Sequence, residues 1–332
     1  MTRDAAGWGQ VRRMRLRHAL ATMALLAGTL TPNAWGSAER DTAVLETTAN
    51  EPIFPGPLPK ELVRLSLETY FAPSADLGSA DIDLIRPELR LRARLPFLAN
   101  LQVAGSFATS RYDVNGPASI FARCPSCPVP SDLHALSVGL QGGYLINSSG
   151  GYLLRPGEEW AVLAAAIGRA RWQAGAFDDS LTGGGSAGVG YRLPGRIRLA
   201  LGVDVESSLG GGVSVAPMFA LRWDITDELR LRSRGLGLEL EYWFAERYAM
   251  FATGFRSGDQ FRLDAPSKLL WNDRQLAIGG GFEWKPWVSL RMAVEAGAIV
   301  SRKISVSDED ETLDSVHADP SPYIEVRVEI RH

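Results

Sequence analysis

From residue 62 to the C-terminus, apolar and polar residues alternate with a period of two, the mark of strands that present one apolar and one polar face. In the clearest stretch Leu89, Leu91, Ala93 and Leu95 alternate with Glu88, Arg90, Arg92 and Arg94. The division recurs with Ile197, Leu199, Leu201, Val203 and Val205 against Arg196, Arg198, Asp204 and Glu206. It recurs again with Leu290, Met292 and Val294 against Arg291 and Glu295, and with Ile324, Val326, Val328 and Ile330 against Glu325, Arg327, Glu329 and Arg331.

Alternation alone also fits a soluble sandwich, so strand length has to discriminate. Several segments exceed the ~5–6 residues of globular strands and match the ~9–11 that a tilted strand needs to cross a bilayer. Trp160 and Trp172 share one face with Val162, Ala164, Ala166 and Ala170, while Arg169 and Arg171 point the other way. Twelve residues at ~3.3 Å each, tilted by about 45°, rise roughly 28 Å, which suits two aromatic girdles flanking an apolar band of ~25 Å. The pattern predicts an all-β fold: a transmembrane antiparallel up-and-down β-barrel of 12 to 14 strands, with Trp160 and Trp172 in its girdles.

Parity refines the count. Residues 62–332 give thirteen strands if 229–244 is one, which would put the two ends of the barrel chain on opposite sides. A break at Arg234 and Gly235 gives fourteen and restores an even number; merging another pair gives twelve. Fourteen is favoured. Short connections at 96–99, 193–195, 224–228, 244–247 and 285–287 are expected on the periplasmic side, and longer ones at 113–132, 175–182, 257–272 and 304–320 outside. The long link 147–159 breaks that rule.

Composition agrees with interleaving. Hydrophobic residues make up 45% of the 332, with 34 Gly, yet mean hydropathy is −0.05. Past the first thirty-odd residues no run approaches the ~18–20 apolar residues of a spanning helix. The beginning reads as an export signal: Arg12, Arg13, Arg15 and Arg17, then an apolar stretch from Ala19 to Leu30, then small residues at Ala34, Gly36 and Ala38. Translation from Met1 or Met14 would serve equally, with cleavage after Gly36 or Ala38. The expected organisation is a cleavable signal peptide over 1–38, a Pro-rich periplasmic leader over 39–60 and a barrel over 61–332.

Residues 1–36 hold five Arg and one Asp, so the remainder carries 30 basic against 37 acidic residues, a formal −7. That balance argues against nucleic acid as a partner.

The terminal segment Tyr323–His332, the run Glu241-Tyr242-Trp243 and the later Gly281-Phe282-Glu283-Trp284-Lys285-Pro286 resemble bacterial outer-membrane β-barrels of a family with unassigned function. The resemblance implies the outer membrane of a Gram-negative bacterium, contact with its lipids and lipopolysaccharide, and folding by the barrel-assembly machinery. Such barrels end in an aromatic residue that this machinery recognises; His332 takes that place.

Candidate chemistry is sparse. Cys124 and Cys127, the only cysteines, are spaced C-x-x-C in the longest outer loop, where an oxidising compartment favours a disulfide. A tetrahedral metal site needs two further ligands, and none is adjacent. Gly183–Gly185, Gly210–Gly212 and Gly279–Gly281 lack the Lys and Ser/Thr of a phosphate loop, so they read as bends or close approaches, and no cofactor is implied. His134, His317 and His332 are the histidines beyond the signal; no Ser is spaced to pair with one on the same strand, which leaves a partner on an adjacent strand as the one route to lipid hydrolysis. His134 is read as a rim residue at headgroup level, and the chain is not read as an enzyme.

The inward charges remain. Arg90, Arg92, Arg94, Arg196, Arg198, Arg291, Glu295, Arg327 and Glu329 are the candidate lumen lining. They serve either cross-strand ion pairing in a closed interior or a basic ladder in a passive pore for small, anionic solutes. A structural or surface-interaction barrel and a lipid hydrolase stand as the alternatives.

Overall fold

A computed structural model describes residues 62–77, 80–95, 101–116, 120–124, 126–146, 159–193, 196–265, 268–308 and 311–332. The expected signal peptide and leader lie outside these residues, as does the link 147–158. Alternation becomes strand throughout: β1 (Val63–Asp76), β2 (Asp81–Arg94), β3 (Leu101–Asn115), β4 (Asp132–Ile146) and β5 (Glu159–Gln173). There follow β6 (Leu181–Leu193), β7 (Ile197–Ser207), β8 (Val213–Asp224), β9 (Leu229–Arg234) and β10 (Gly237–Ala245). The last are β11 (Tyr248–Arg262), β12 (Leu269–Trp287), β13 (Leu290–Asp308), β14 (Glu311–Ala318) and β15 (Ser321–Arg331). No helix occurs among the described residues.

Sequential neighbours pair antiparallel, and β1 pairs with β15, so the sheet closes on itself. Although there are fifteen segments, β14 and β15 are one strand: both pair with β13 in a single register, with Arg302 opposite Ala318 and Ile299 opposite Ser321. The interruption falls at Asp319 and Pro320, the latter lacking the N–H a ladder needs. The ring is therefore a closed fourteen-stranded up-and-down barrel. Its lower end carries both Leu62 and His332, which hydrogen-bond to each other through the backbone at 2.8 Å.

Two expected outer loops are shorter than the sequence suggested. β13 extends to Asp308 and β14 resumes at Glu311, so most of the acidic stretch 304–320 is strand. Similarly, β11 and β12 leave only residues 263–268 between them. Cross-strand pairing extends the ladders through polar residues whose composition had suggested loop.

The break at Arg234 and Gly235 is a hairpin turn, with Gly235 at φ 54°, the left-handed backbone that a two-residue hairpin loop needs at its first central position. The resulting hairpin is short. β8 pairs with β9 only from Arg222 to Asp224, and the β10–β11 ladder stops at Leu238 opposite Gly254. Above those points, among the described residues, neither Val213–Ala220 of β8 nor Phe255–Phe261 of β11 has a strand partner on the hairpin side. Higher up, the tip of β11 is tied across the gap. Arg262 pairs with Trp172 of β5, and its guanidinium donates to the carbonyls of Asp179, Lys268 and Leu209.

Candidate functional site

Because successive side chains alternate, fourteen strands direct one residue in two into the lumen. In the lower half these are charged and interleaved by sign. Arg90 pairs with Glu88 at 2.6 Å and Glu68 at 3.3 Å. Arg327 joins Glu68 at 3.2 Å and Glu325 at 2.7 Å. Arg234 spans the lumen from the hairpin tip to Glu295 at 2.5 Å and Glu325 at 2.8 Å. Lower still, Arg291 reaches Glu241 at 2.8 Å and also pairs with Glu283, while Glu329 lies between Arg331 at 2.5 Å and Arg64 at 3.8 Å. Removing such groups from water is tolerable only when each meets an opposite charge or a hydrogen bond, which the alternation of sign provides. Between them remains a cavity of about 170 Å³, lined by Arg64, Ser66, Arg92, Arg232, Glu239 and Gln275 among others.

The upper half is different in kind. Trp271, fully buried, packs edge-on against Tyr112 and Phe121, with centroids 5.5 and 5.9 Å away. Ile82, Leu133, Ile299, Ile304 and Val306 complete an apolar core inside the barrel mouth. Phe121 and Ile120 come from the β3–β4 connection, which folds inward; the backbone N–H of Arg123 donates to Asp314 of β14 at 2.6 Å. Cys124 and Cys127 are disulfide-bonded within that connection, and Cys127 is buried in the core. Charge enters this layer only in matched pairs among the described residues: the Arg302 guanidinium meets Asp273 at 2.7 Å, with Tyr112 donating to the same carboxylate at 2.9 Å, and Asp259, opposite Asp273 on β11, pairs with Arg86.

Of the sequence-chosen lumen residues, Arg90, Arg291, Glu295, Arg327 and Glu329 belong to this network, and Arg92 lines the cavity. Arg94 shares their face at the lower end of β2. Arg196 departs from the expectation: it lies in the turn before β7 and pairs at 2.8 Å with the exposed Asp227. The chain reverses there, so the strand period no longer sets its direction. Arg198 faces inward, in register with Arg192 on β6 and Arg222 on β8. Sequence reasoning set Glu88 on the charged face but passed over Arg234, taken only as a turn, and the acids Glu68, Glu239 and Asp259. The same period-two parity that chose Arg90 would have found the acids.

Outward positions are apolar around the ring. Leu89, Phe107, Leu136, Val162, Leu201, Phe219, Ile278 and Ile324 are exposed, each on the face opposite the charges. Trp160 lies tilted against Tyr191, ring centroids 4.5 Å apart, near the lower end, where Trp223, Trp284 and Trp287 also face out. Near the upper end Trp172 lies against His134 and Phe177, and His134 stacks on Phe107 and lies 3.3 Å from Thr109 Oγ1. An apolar band between two aromatic belts is how a closed sheet meets lipid. This is a transmembrane β-barrel.

No protein-family model matches the chain, and no curated protein matches it in sequence. Among solved structures it is similar to an outer membrane channel from Pseudomonas putida F1, at 11% identity over 84% of this chain and 100% of that one, TM-score 0.40. A Pseudomonas aeruginosa FadL homologue is 10% identical over 89% and 97%, TM-score 0.36. The translocator domain of the autotransporter NalP from Neisseria meningitidis is 11% identical over 82% and 90%, TM-score 0.30. At such values the wall and lumen of the barrel have to be read from its own residues.

Proposed function

We propose that the chain is a small-solute channel of the Gram-negative outer membrane that is closed along its axis in the state described, rather than a permanently open passive pore. The observation that carries this reading is the division of the interior. A polar lower lumen with a cavity is sealed above by the apolar core on Trp271 and the inward β3–β4 connection. A barrel serving only as a wall has no need of a polar cavity at one end, and an open pore has no apolar plug. The basic ladder is matched by acids, so ion selectivity is expected to be weak. Export by the signal peptide, insertion by the barrel-assembly machinery and contact with lipopolysaccharide belong to the same reading, as does the absence of enzymatic chemistry.

Planar-bilayer recording tests it. The unmodified protein should conduct in rare, brief events, whereas removal of residues 117–128 should give a steady conductance. A steady large conductance before removal would establish an open pore. No conductance after removal, from protein shown to be folded, would establish the structural barrel instead.

A further inference from the structure

Among the described residues the wall is incomplete on one side, and the gap lies at the depth of the apolar band. Eight residues of β8, Val213–Ala220, lack a ladder partner on the hairpin side; at ~3.3 Å per residue that is roughly 26 Å of strand. The outward residues of this stretch, Val213, Val215 and Phe219, are exposed and apolar to the top of the strand, so its bare edge faces the hydrocarbon layer. Leu221 directs both its N–H and its C=O to Ser233 of β9, which fixes the parity of the edge. Backbone groups of Pro217, four residues along, point the same way. A proline there leaves no N–H facing the gap, and prolines in sheets sit on such edges. Lipid cannot satisfy the remaining edge groups, so the gap has to admit water or a polar ligand from the lumen.

The inner face just below the gap has a matching chemistry. Arg192, Arg198 and Arg222 stand in one row across β6, β7 and β8. Among the described residues, Glu159, at 3.1 Å from Arg192, and Asp224, at 3.6 Å from Arg222, oppose them, and Asp224 is shared with Arg230 at 2.5 Å. Among the described residues none forms an ion pair with Arg198. Directly above that row the inward positions become small and apolar, with Gly190, Ala200 and Ala220, and then Met218 lying over Gly188 and Gly202. Methionine is an adaptable filler that a ligand can displace.

We infer that the gap between β8 and β11 is a lateral portal, through which an amphiphile with an anionic head passes between the bilayer and the lower lumen, its head on Arg198 and its tail along Met218. This rests on the channel reading, and supplies the route that the sealed upper mouth denies.

Two measurements test it on the full-length barrel, with folding verified by heat-modifiable gel migration. Cysteines carrying a fluorophore are placed at Ala216, inward beside the gap, and at Ala104, inward on β3; Cys124 and Cys127, being disulfide-bonded, do not react. In vesicles with brominated acyl chains, quenching at Ala216→Cys should be at least fivefold that at Ala104→Cys. Equal quenching overturns the portal.

Binding of decanesulfonate to the barrel in nanodiscs should weaken about tenfold in Arg198→Gln, with decanol unaffected. If sulfate alone binds as tightly as decanesulfonate, the row is a plain anion site and the amphiphile is overturned; if Arg198→Gln binds decanesulfonate unchanged, the head-group assignment falls. Neither measurement depends on conductance, so failure here is distinguishable from failure of the channel reading.

Discussion

Arg234 Nη2 lies 2.8 Å from Glu325 Oε1, joining the tip of the shortest hairpin to the last strand across the lumen. Its other terminal nitrogen meets Glu295, and the guanidinium carbon lies 5.0 Å from the ring centroid of Phe255. One side chain thus neutralises two buried carboxylates and holds the tip against the interior.

Replacing it with a neutral residue of similar volume, Arg234→Met, leaves Glu295 and Glu325 buried without that partner. Breaking a buried pair in this way costs ~3–5 kcal/mol, so the urea midpoint of the folded, fast-migrating form should fall clearly. Arg234→Lys should recover only part of it, since an ammonium cannot bridge both carboxylates as the planar fork does.

Tyr323 lies over Gly279 and Gly297, where an added Cβ would collide with its ring or hydroxyl, and its hydroxyl donates to Glu295 at 2.5 Å. Gly279→Ala should therefore destabilise by ~1–3 kcal/mol through overpacking. Combining it with Tyr323→Ala should cost less than the sum of the two, and denaturation of both singles and the double measures the coupling.

Trp271→Ala should remove the centre of the upper core. A buried aromatic lost to alanine costs ~3–5 kcal/mol, and its edge-on contacts with Phe121 and Tyr112 go with it. Open events in bilayer recordings should become frequent even where the barrel stays folded, and unchanged closure would mean that Phe121 and Tyr112 suffice.

The Cys124–Cys127 bond closes a loop of three residues' separation, so its effect on the unfolded chain is small. Reduction should leave the urea midpoint nearly unchanged while exposing the connection to trypsin at Arg123. A large drop in midpoint would show that the disulfide supports the whole barrel.

Strand periodicity made much of this legible. It separated lumen from lipid at Arg90, Glu295, Arg327 and Trp160, and parity placed the turn at Arg234 and Gly235. Connections have no period, so nothing in residues 116–131 announced that Phe121 turns inward onto Trp271. Ladder pairing carried β13 and β14 through the acidic stretch that composition had assigned to a loop. The gap beside β8 was latent in the division of 229–244, because two such short segments cannot match strands twice their length; the consequence depends on register, which pairing alone reveals.

The seam between β1 and β15 brings the two ends of the barrel sequence together, with Glu68 opposite Arg327, Leu67 opposite Val328 and Ser66 opposite Glu329. A slip of one residue would turn every apolar side chain of the closing strand into the lumen. A slip of two keeps the faces right but sets Arg327 against Ser66 or Tyr70, abandoning Glu68. Closure therefore proofreads itself: the final step of folding is cheapest in the one alignment where charge and face agree, and a misaligned seam has reason to reopen before it locks.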